Sequence, residues 1–199
     1  MAFPRITPPL VAALPPLAAL LVTVLAFPAH AEVFNTGRTL KPGALSFSGE
    51  YQHNFSSPAA LNGYVGIGLG QRVDLGLRAG LSLQDTPISY FGADVEFGLL
   101  ADSERQPALS LSLGAHLIGG QQFSGDATLL LSKVLHPHFE PYLALDTNIG
   151  ISPRFEVQLT AVGGLCIPIV EHFELLLEGG WSLTPSSSQY VSGGFNLYF

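Results

Sequence analysis

The sequence predicts an all-β chain, a single antiparallel up-and-down transmembrane β-barrel of ten strands. Apolar residues recur at every second position across nearly all of Leu45–Phe199. That is the period of a strand; on a helix the same spacing would wrap apolar residues around the whole cylinder. The chain is 47% apolar, yet after residue 31 it has no run of the ~20 apolar residues that a membrane helix needs. Strong apolarity spread by alternation is the pattern of a barrel wall, apolar toward lipid and polar or small toward the lumen.

From the amino terminus, Arg5 is the only charge in residues 1–31 and precedes an apolar stretch from Leu10 to Phe27 that ends in Ala29-His30-Ala31. A basic start, an apolar middle and a small-x-small site predict a signal peptide over 1–31, cleaved after Ala31. Pro15 and Pro16 interrupt the apolar run, and no basic stop-transfer cluster follows, which argues against an uncut helix. No cysteine starts the mature chain, so nothing predicts an acylated lipoprotein. Residues 32–43 form a polar lead-in, either free or tucked against the barrel mouth, and 44–199 form the barrel.

Alternation between turn signals places strands at about 44–54, 62–70, 73–85, 89–101, 107–119, 124–135, 139–151, 155–167, 172–183 and 188–199. The third is the clearest, with Val73, Leu75, Leu77, Ala79, Leu81 and Leu83 set against Asp74, Gly76, Arg78, Gly80, Ser82 and Gln84. The fifth sets Leu109, Leu111, Leu113, Ala115 and Leu117 against Ser110, Ser112, Gly114 and His116. In the last, Val191, Phe195, Leu197 and Phe199 share a face. An even strand number puts both chain ends on one side, with connections there at Gln71-Arg72, Asp102–Gln106, His136-Pro137-His138 and Pro168–Glu171. The opposite connections are Asn54–Leu61, Asp85–Ile88, Gly120–Phe123, Ser152–Arg154 and Thr184–Ser187. A basic-apolar-acidic repeat at Arg72, His138, Arg154 and His172 supports hairpin units, but the Arg154 copy falls on the wrong side. Merging one hairpin there gives the eight-strand alternative.

The two faces differ sharply. The outward face carries almost no charge, as lipid requires, since a basic side chain at mid-bilayer costs ~2–4 kcal/mol; Lys133 is the exception and sits near a strand end. Phe139, Phe173 and Phe199 near one rim, and Phe91, Trp181 and Tyr51 near the other, are expected to form aromatic girdles at the membrane interfaces. The inward face is acidic. Glu50, Asp94, Glu96, Asp126, Asp146 and Glu178 are expected to line the lumen with Arg78 and His116, joined by Asp74, Glu140, Glu156 and Glu174. Inward glycines leave room for water or for Tyr90, Tyr142, Tyr190 and Tyr198 to pack across them.

Several functions are excluded or weakened. Eight basic residues face 15 acidic ones, and cleavage of Arg5 leaves 7 against 15, a charge of −8, so nucleic acid is not an expected partner. One cysteine, Cys166, allows no internal disulfide. Gly66-Ile67-Gly68-Leu69-Gly70 is not a phosphate loop, because its glycines share a strand face and no helix follows. No cofactor or metal site is expected; His136 and His138 share a turn with Pro137 but lack ligand spacing. His116, oriented by Asp94 or Asp126 and joined by Ser110 or Ser112, is the one constellation suited to lipid hydrolysis.

An apolar strand ending in a free carboxylate on Phe199 resembles the closing strand of Gram-negative outer-membrane barrels. Together with the signal peptide and the alternation, the chain resembles the small OmpA-like and OmpX-like barrels. The resemblance implies an integral outer-membrane protein of a Gram-negative cell, bathed in outer-membrane lipids. It also implies that Phe195, Leu197 and Phe199 act as the signal read by the barrel-assembly machinery. The expected role is non-enzymatic, structural or a slow passage for small solutes through a narrow acidic lumen. The alternatives are a lipid-modifying barrel enzyme and a soluble periplasmic β-sandwich.

Overall fold

The computed structural model describes residues 35–151, 155–184 and 189–199. Ten antiparallel strands close into one barrel: β1 (Leu45–Asn54), β2 (Ala60–Gly68), β3 (Val73–Ser82), β4 (Ser89–Leu100), β5 (Ala108–Ile118), β6 (Gln122–Ser132), β7 (Glu140–Gly150), β8 (Glu156–Val170), β9 (Phe173–Ser182) and β10 (Tyr190–Tyr198). Every strand pairs with its sequence neighbours, and β1 pairs with β10. The eight-strand alternative is therefore overturned: β7 and β8 form a full hairpin from Glu140↔Cys166 to Gly150↔Glu156. The Arg154 copy of the basic-apolar-acidic repeat and the residues 1–31 lie outside the described residues.

One numerical regularity organises the wall. In all ten strands odd-numbered residues point outward and even-numbered ones inward, until bulges near the ends of β4 and β8 shift the phase. The outward strand positions include no Asp, Glu, Lys or Arg, and Leu77, Phe91, Leu143 and Trp181 are each more than half exposed. Exposed apolar surface on this scale marks a face meant for lipid, since soluble monomers rarely leave such area open. Lys133 lies just past β6, where its ammonium donates to Asp102 Oδ1 at 2.9 Å and to the Ser103 carbonyl. Its charge is thus drawn to the rim, away from the lipid-facing positions.

The closing seam runs from Ser46↔Tyr198 to Asn54↔Tyr190. Leu45 and Phe199 exchange backbone hydrogen bonds of 3.1 and 2.9 Å, so the last residue is stitched to the first strand. Phe195 packs between Phe47 and Phe173, with ring centroids 6.2 and 6.3 Å away, and Gly49 beside it leaves room for the ring. On the side opposite the termini, Gly119 and Gly120 take φ of +57° and +70° and join β5 to β6. Two successive positive φ values match a tight primed hairpin turn, which residues with a Cβ adopt at a cost.

Several strand ends differ from the sequence expectation by two or three residues, that of β8 among them. Pro168, expected in a turn, lies within β8, which continues to Val170 through a bulge between Pro168 and Val170. A bulge near a strand end tolerates a residue with no N–H to donate. Of the two alternatives for the lead-in, the structure shows the tucked one: from Asn35 to Lys41 it enters the mouth of the barrel.

Candidate functional site

The lumen is the candidate site, and its inward side chains are packed. Asp74, Asp94, Glu96, Asp126, Glu140, Asp146, Glu174 and Glu178 are all buried, eight carboxyl groups in one interior. Glu50 is partly buried. Burying a carboxylate is costly unless hydrogen bonds or an opposite charge compensate, and the structure shows three clusters that do so.

The first surrounds Arg78, whose Nε and Nη2 both donate to Asp94 Oδ2 at 3.2 and 2.9 Å. Its Nη1 also lies 3.8 Å from Asp126 Oδ2. Asp126 in turn meets His116 Nδ1 at 3.2 Å, while the Asn148 amide faces His116 Nε2 at 3.2 Å. An amide nitrogen can only donate, so Nε2 is the acceptor and the proton sits on Nδ1, an assignment made from the partners. Thr128 donates to Asp146 at 2.5 Å.

The second cluster is built on glycines and tyrosines. Tyr142 and Tyr190 converge on Glu178, donating at 2.8 and 2.5 Å. Each ring lies over a glycine of the adjacent strand: a Cβ at Gly164 would come within 2.1 Å of Tyr142, and one at Gly180 within 2.0 Å of Tyr190. The same arrangement sets Tyr64 over Gly76 and Tyr90 over Gly80. Tyr64 then donates to Asp94 at 3.4 Å and Tyr90 to Asn62 at 3.0 Å. Inward glycines thus create the slots that let tyrosine rings lie across the lumen, which fills it.

The third cluster closes the mouth. Arg38 donates through Nε to Glu140 Oε1 at 2.9 Å and through Nη2 to Glu140 Oε2, and lies 3.7 Å from Glu174. Burial disfavours its charge, but the Glu140 carboxylate outweighs this and raises its pKa above the ordinary arginine value. Glu174 also accepts from Tyr198 at 2.7 Å and from the Cys166 thiol at 3.1 Å. Asn35 donates to Glu96 at 2.5 Å, the Leu40 N–H to Asp74 at 2.6 Å, and the Gly37 N–H to Ser132 at 3.1 Å.

Gly37 slips between the backbone carbonyls of Ala108 and Leu130; Thr39 rests against Gly98, and the Lys41 carbonyl over Gly68. The segment therefore holds onto β2 through β7 and β9, spanning the opening. Cavities of about 320 and 330 Å³ flank it, both bordered by Arg38 and Glu174.

Sequence reasoning missed Asn35, Arg38 and Tyr64. It also allowed a serine to join His116, which the strand geometry forbids: Ser112 and Ser110 lie four and six residues back along β5, roughly 13 and 20 Å away. His116 has Asp126 and Asn148 as its partners instead. Of the aromatics expected at the interfaces, Phe91, Phe139, Trp181 and Phe199 are exposed, and Phe173 is half-buried against Phe195. Leu197 is half-buried on the outward face of β10.

The sequence matches no protein-family model and no curated protein. In structure the chain is similar to an outer-membrane channel from Pseudomonas putida F1, with TM-score 0.57 and 10% identity, covering 85% of this chain and 100% of that one. It is also similar to the KdgM porin, with TM-score 0.54 and 8% identity, covering 77% of this chain and 99% of that one. At such identities the likeness shows the fold, that of the small outer-membrane β-barrels.

Proposed function

We propose that this chain is an integral outer-membrane protein of a Gram-negative cell whose barrel is closed along its lumen, a structural element of the envelope with no open diffusion pore. The observation that carries this reading is the interior itself, where tyrosines, carboxyls and arginines bond across the lumen while Asn35–Lys41 spans the mouth. Residues 1–31 export the chain and are removed after Ala31. The outward apolar face meets outer-membrane lipid, and Phe195, Leu197 and Phe199 present the carboxyl-terminal signal to the assembly machinery.

One observation favours a second role, slow passage of small cations. Among the described residues, eight buried carboxyl groups share the lumen with two guanidinium groups, Arg38 and Arg78, and a lumen with that excess selects cations over anions. A lipid-modifying enzyme is disfavoured because His116 has both ring nitrogens engaged, by Asp126 and Asn148, and is buried in the lumen away from lipid.

Membrane fractionation and liposome swelling test the reading together. The mature chain should fractionate with outer membranes and migrate heat-modifiably, and vesicles containing it should not swell in small sugars. Swelling at the rate of a porin, or a protein soluble in periplasm, contradicts it. Acyl-chain release from lipopolysaccharide or phospholipid that His116→Ala abolishes would establish the enzyme instead.

A further inference from the structure

Asp74 and Glu96 are directly opposite each other on β3 and β4, on the same inward face. Like charges in that position repel, and here both side chains are almost fully buried, at 1% and 2% exposure. Among the described residues neither makes an ion pair with a basic side chain. Arg78 is committed to Asp94 and Asp126, Arg38 to Glu140 and Glu174, and Arg72 donates to the Leu99 carbonyl.

The lead-in satisfies one oxygen of each carboxyl group, through Leu40 N–H on Asp74 Oδ2 and Asn35 Nδ2 on Glu96 Oε2. The other two, Asp74 Oδ1 and Glu96 Oε1, are buried with no hydrogen-bond partner. Ser110, with 0% exposure, has the Glu96 carboxyl as its side-chain neighbour and no other hydrogen-bond partner among the described residues. Two unpartnered carboxyl oxygens and the Ser110 hydroxyl, all hard donors, thus share the inward face of β3, β4 and β5 beneath the lead-in.

We infer that Asp74, Glu96 and Ser110 form a binding site for a hard divalent cation, Mg²⁺ or Ca²⁺. Such ions take carboxylate and hydroxyl oxygens and complete their shell with water; no sulfur or imidazole is present to favour a softer metal. The cation relieves the repulsion between β3 and β4. It also ties the lead-in to the wall, since Asn35 and Leu40 hold the far oxygens of the same two carboxyl groups and orient them as outer partners of a metal site do. The inference rests on the reading that the lead-in occupies the lumen mouth.

The test is calorimetric titration of the refolded mature chain, stripped with chelator in non-ionic detergent, with Ca²⁺ and separately with Mg²⁺. One saturable site per chain is expected for at least one ion. Affinity should fall by at least ~10-fold in Asp74→Asn and Glu96→Gln, and remain unchanged in Glu104→Gln, an exposed carboxylate on the turn after β4. Ser110→Ala, which removes one neutral donor and no charge, should weaken binding while leaving heat-modifiable migration intact. It serves as the decisive variant if the charge changes impair folding.

Absence of saturable binding in the parent chain would overturn the site. Equal binding in parent, Asp74→Asn and Glu96→Gln would overturn it too. Either result leaves a closed barrel closed, whereas steady conduction would refute the closed lumen and leave this titration standing.

Discussion

Replacing Arg38 with alanine is the most informative single perturbation of the lead-in. Glu140 is 1% exposed, and in the parent its carboxylate receives both a direct Nε hydrogen bond and a second from Nη2. Breaking a fully buried pair costs ~3–5 kcal/mol, whereas an exposed pair contributes ~0–1 kcal/mol. The Arg38 side chain is 40% exposed, so the docked lead-in should lose an intermediate amount, about 2 kcal/mol. Asn35, Gly37 and Leu40 keep their bonds to Glu96, Ser132 and Asp74, so the segment stays docked on average but leaves more often.

With tenfold in population for every 1.4 kcal/mol, the undocked fraction rises roughly 30-fold. Thr36 is 4% exposed, so Thr36→Cys in a Cys166→Ala background reports undocking through its rate of maleimide labelling. The account predicts that Arg38→Ala accelerates labelling by roughly that factor while heat-modifiable migration shows an intact barrel. An unchanged rate would mean that the pair with Glu140 does not hold the segment, and the reasoning would fail.

Other perturbations probe the wall and the interior. Gly180→Ala brings a Cβ to within 2.0 Å of the Tyr190 ring; with the bond to Glu178 lost as well, urea unfolding in lipid vesicles should show a loss of about 3 kcal/mol. Leu77→Arg, in the middle of β3 and 59% exposed, should cost ~2–4 kcal/mol in the same assay. Leu45→Arg at the rim should cost ~0–1 kcal/mol; equal penalties would contradict a bilayer around the barrel. Deleting Phe199 should reduce the amount assembled in outer membranes while refolding into vesicles in vitro proceeds, and an equal loss in both would assign Phe199 to stability alone.

Much of the wall was legible because each strand is a period-two element with lipid on one side. Val73 to Leu83 and Leu109 to Leu117 alternate without a break, and a one-residue slip would have moved every leucine into the lumen. The acidic inward face was legible for the same reason. Partner choice was not: His116 could have met Asp94 or Asp126, and only the register of β5 with β6, with Ser112 opposite Thr128 and His116 opposite Ser124, brings Asp126 close. That same strand geometry could have ruled out Ser110 and Ser112 beforehand, since residues four apart on a strand do not meet.

Least legible was the lead-in. Asn35 to Lys41 has no periodicity, and it is held by backbone N–H groups and single side chains reaching residues 34 to 102 positions away. A signal for it did exist in Gly68, whose Cβ would strike the Lys41 carbonyl at 2.2 Å, and in Gly98 beneath Thr39. Inward glycines near the mouth make room for a chain, as those deeper in the lumen make room for tyrosine rings.

The central claim is that the barrel is closed by its own side chains and by the lead-in, and planar-bilayer recording of the mature chain tests it most directly. The account predicts a flat baseline at either polarity, with any rare opening selective for cations. Persistent step conductance of the kind an open porin gives would contradict it.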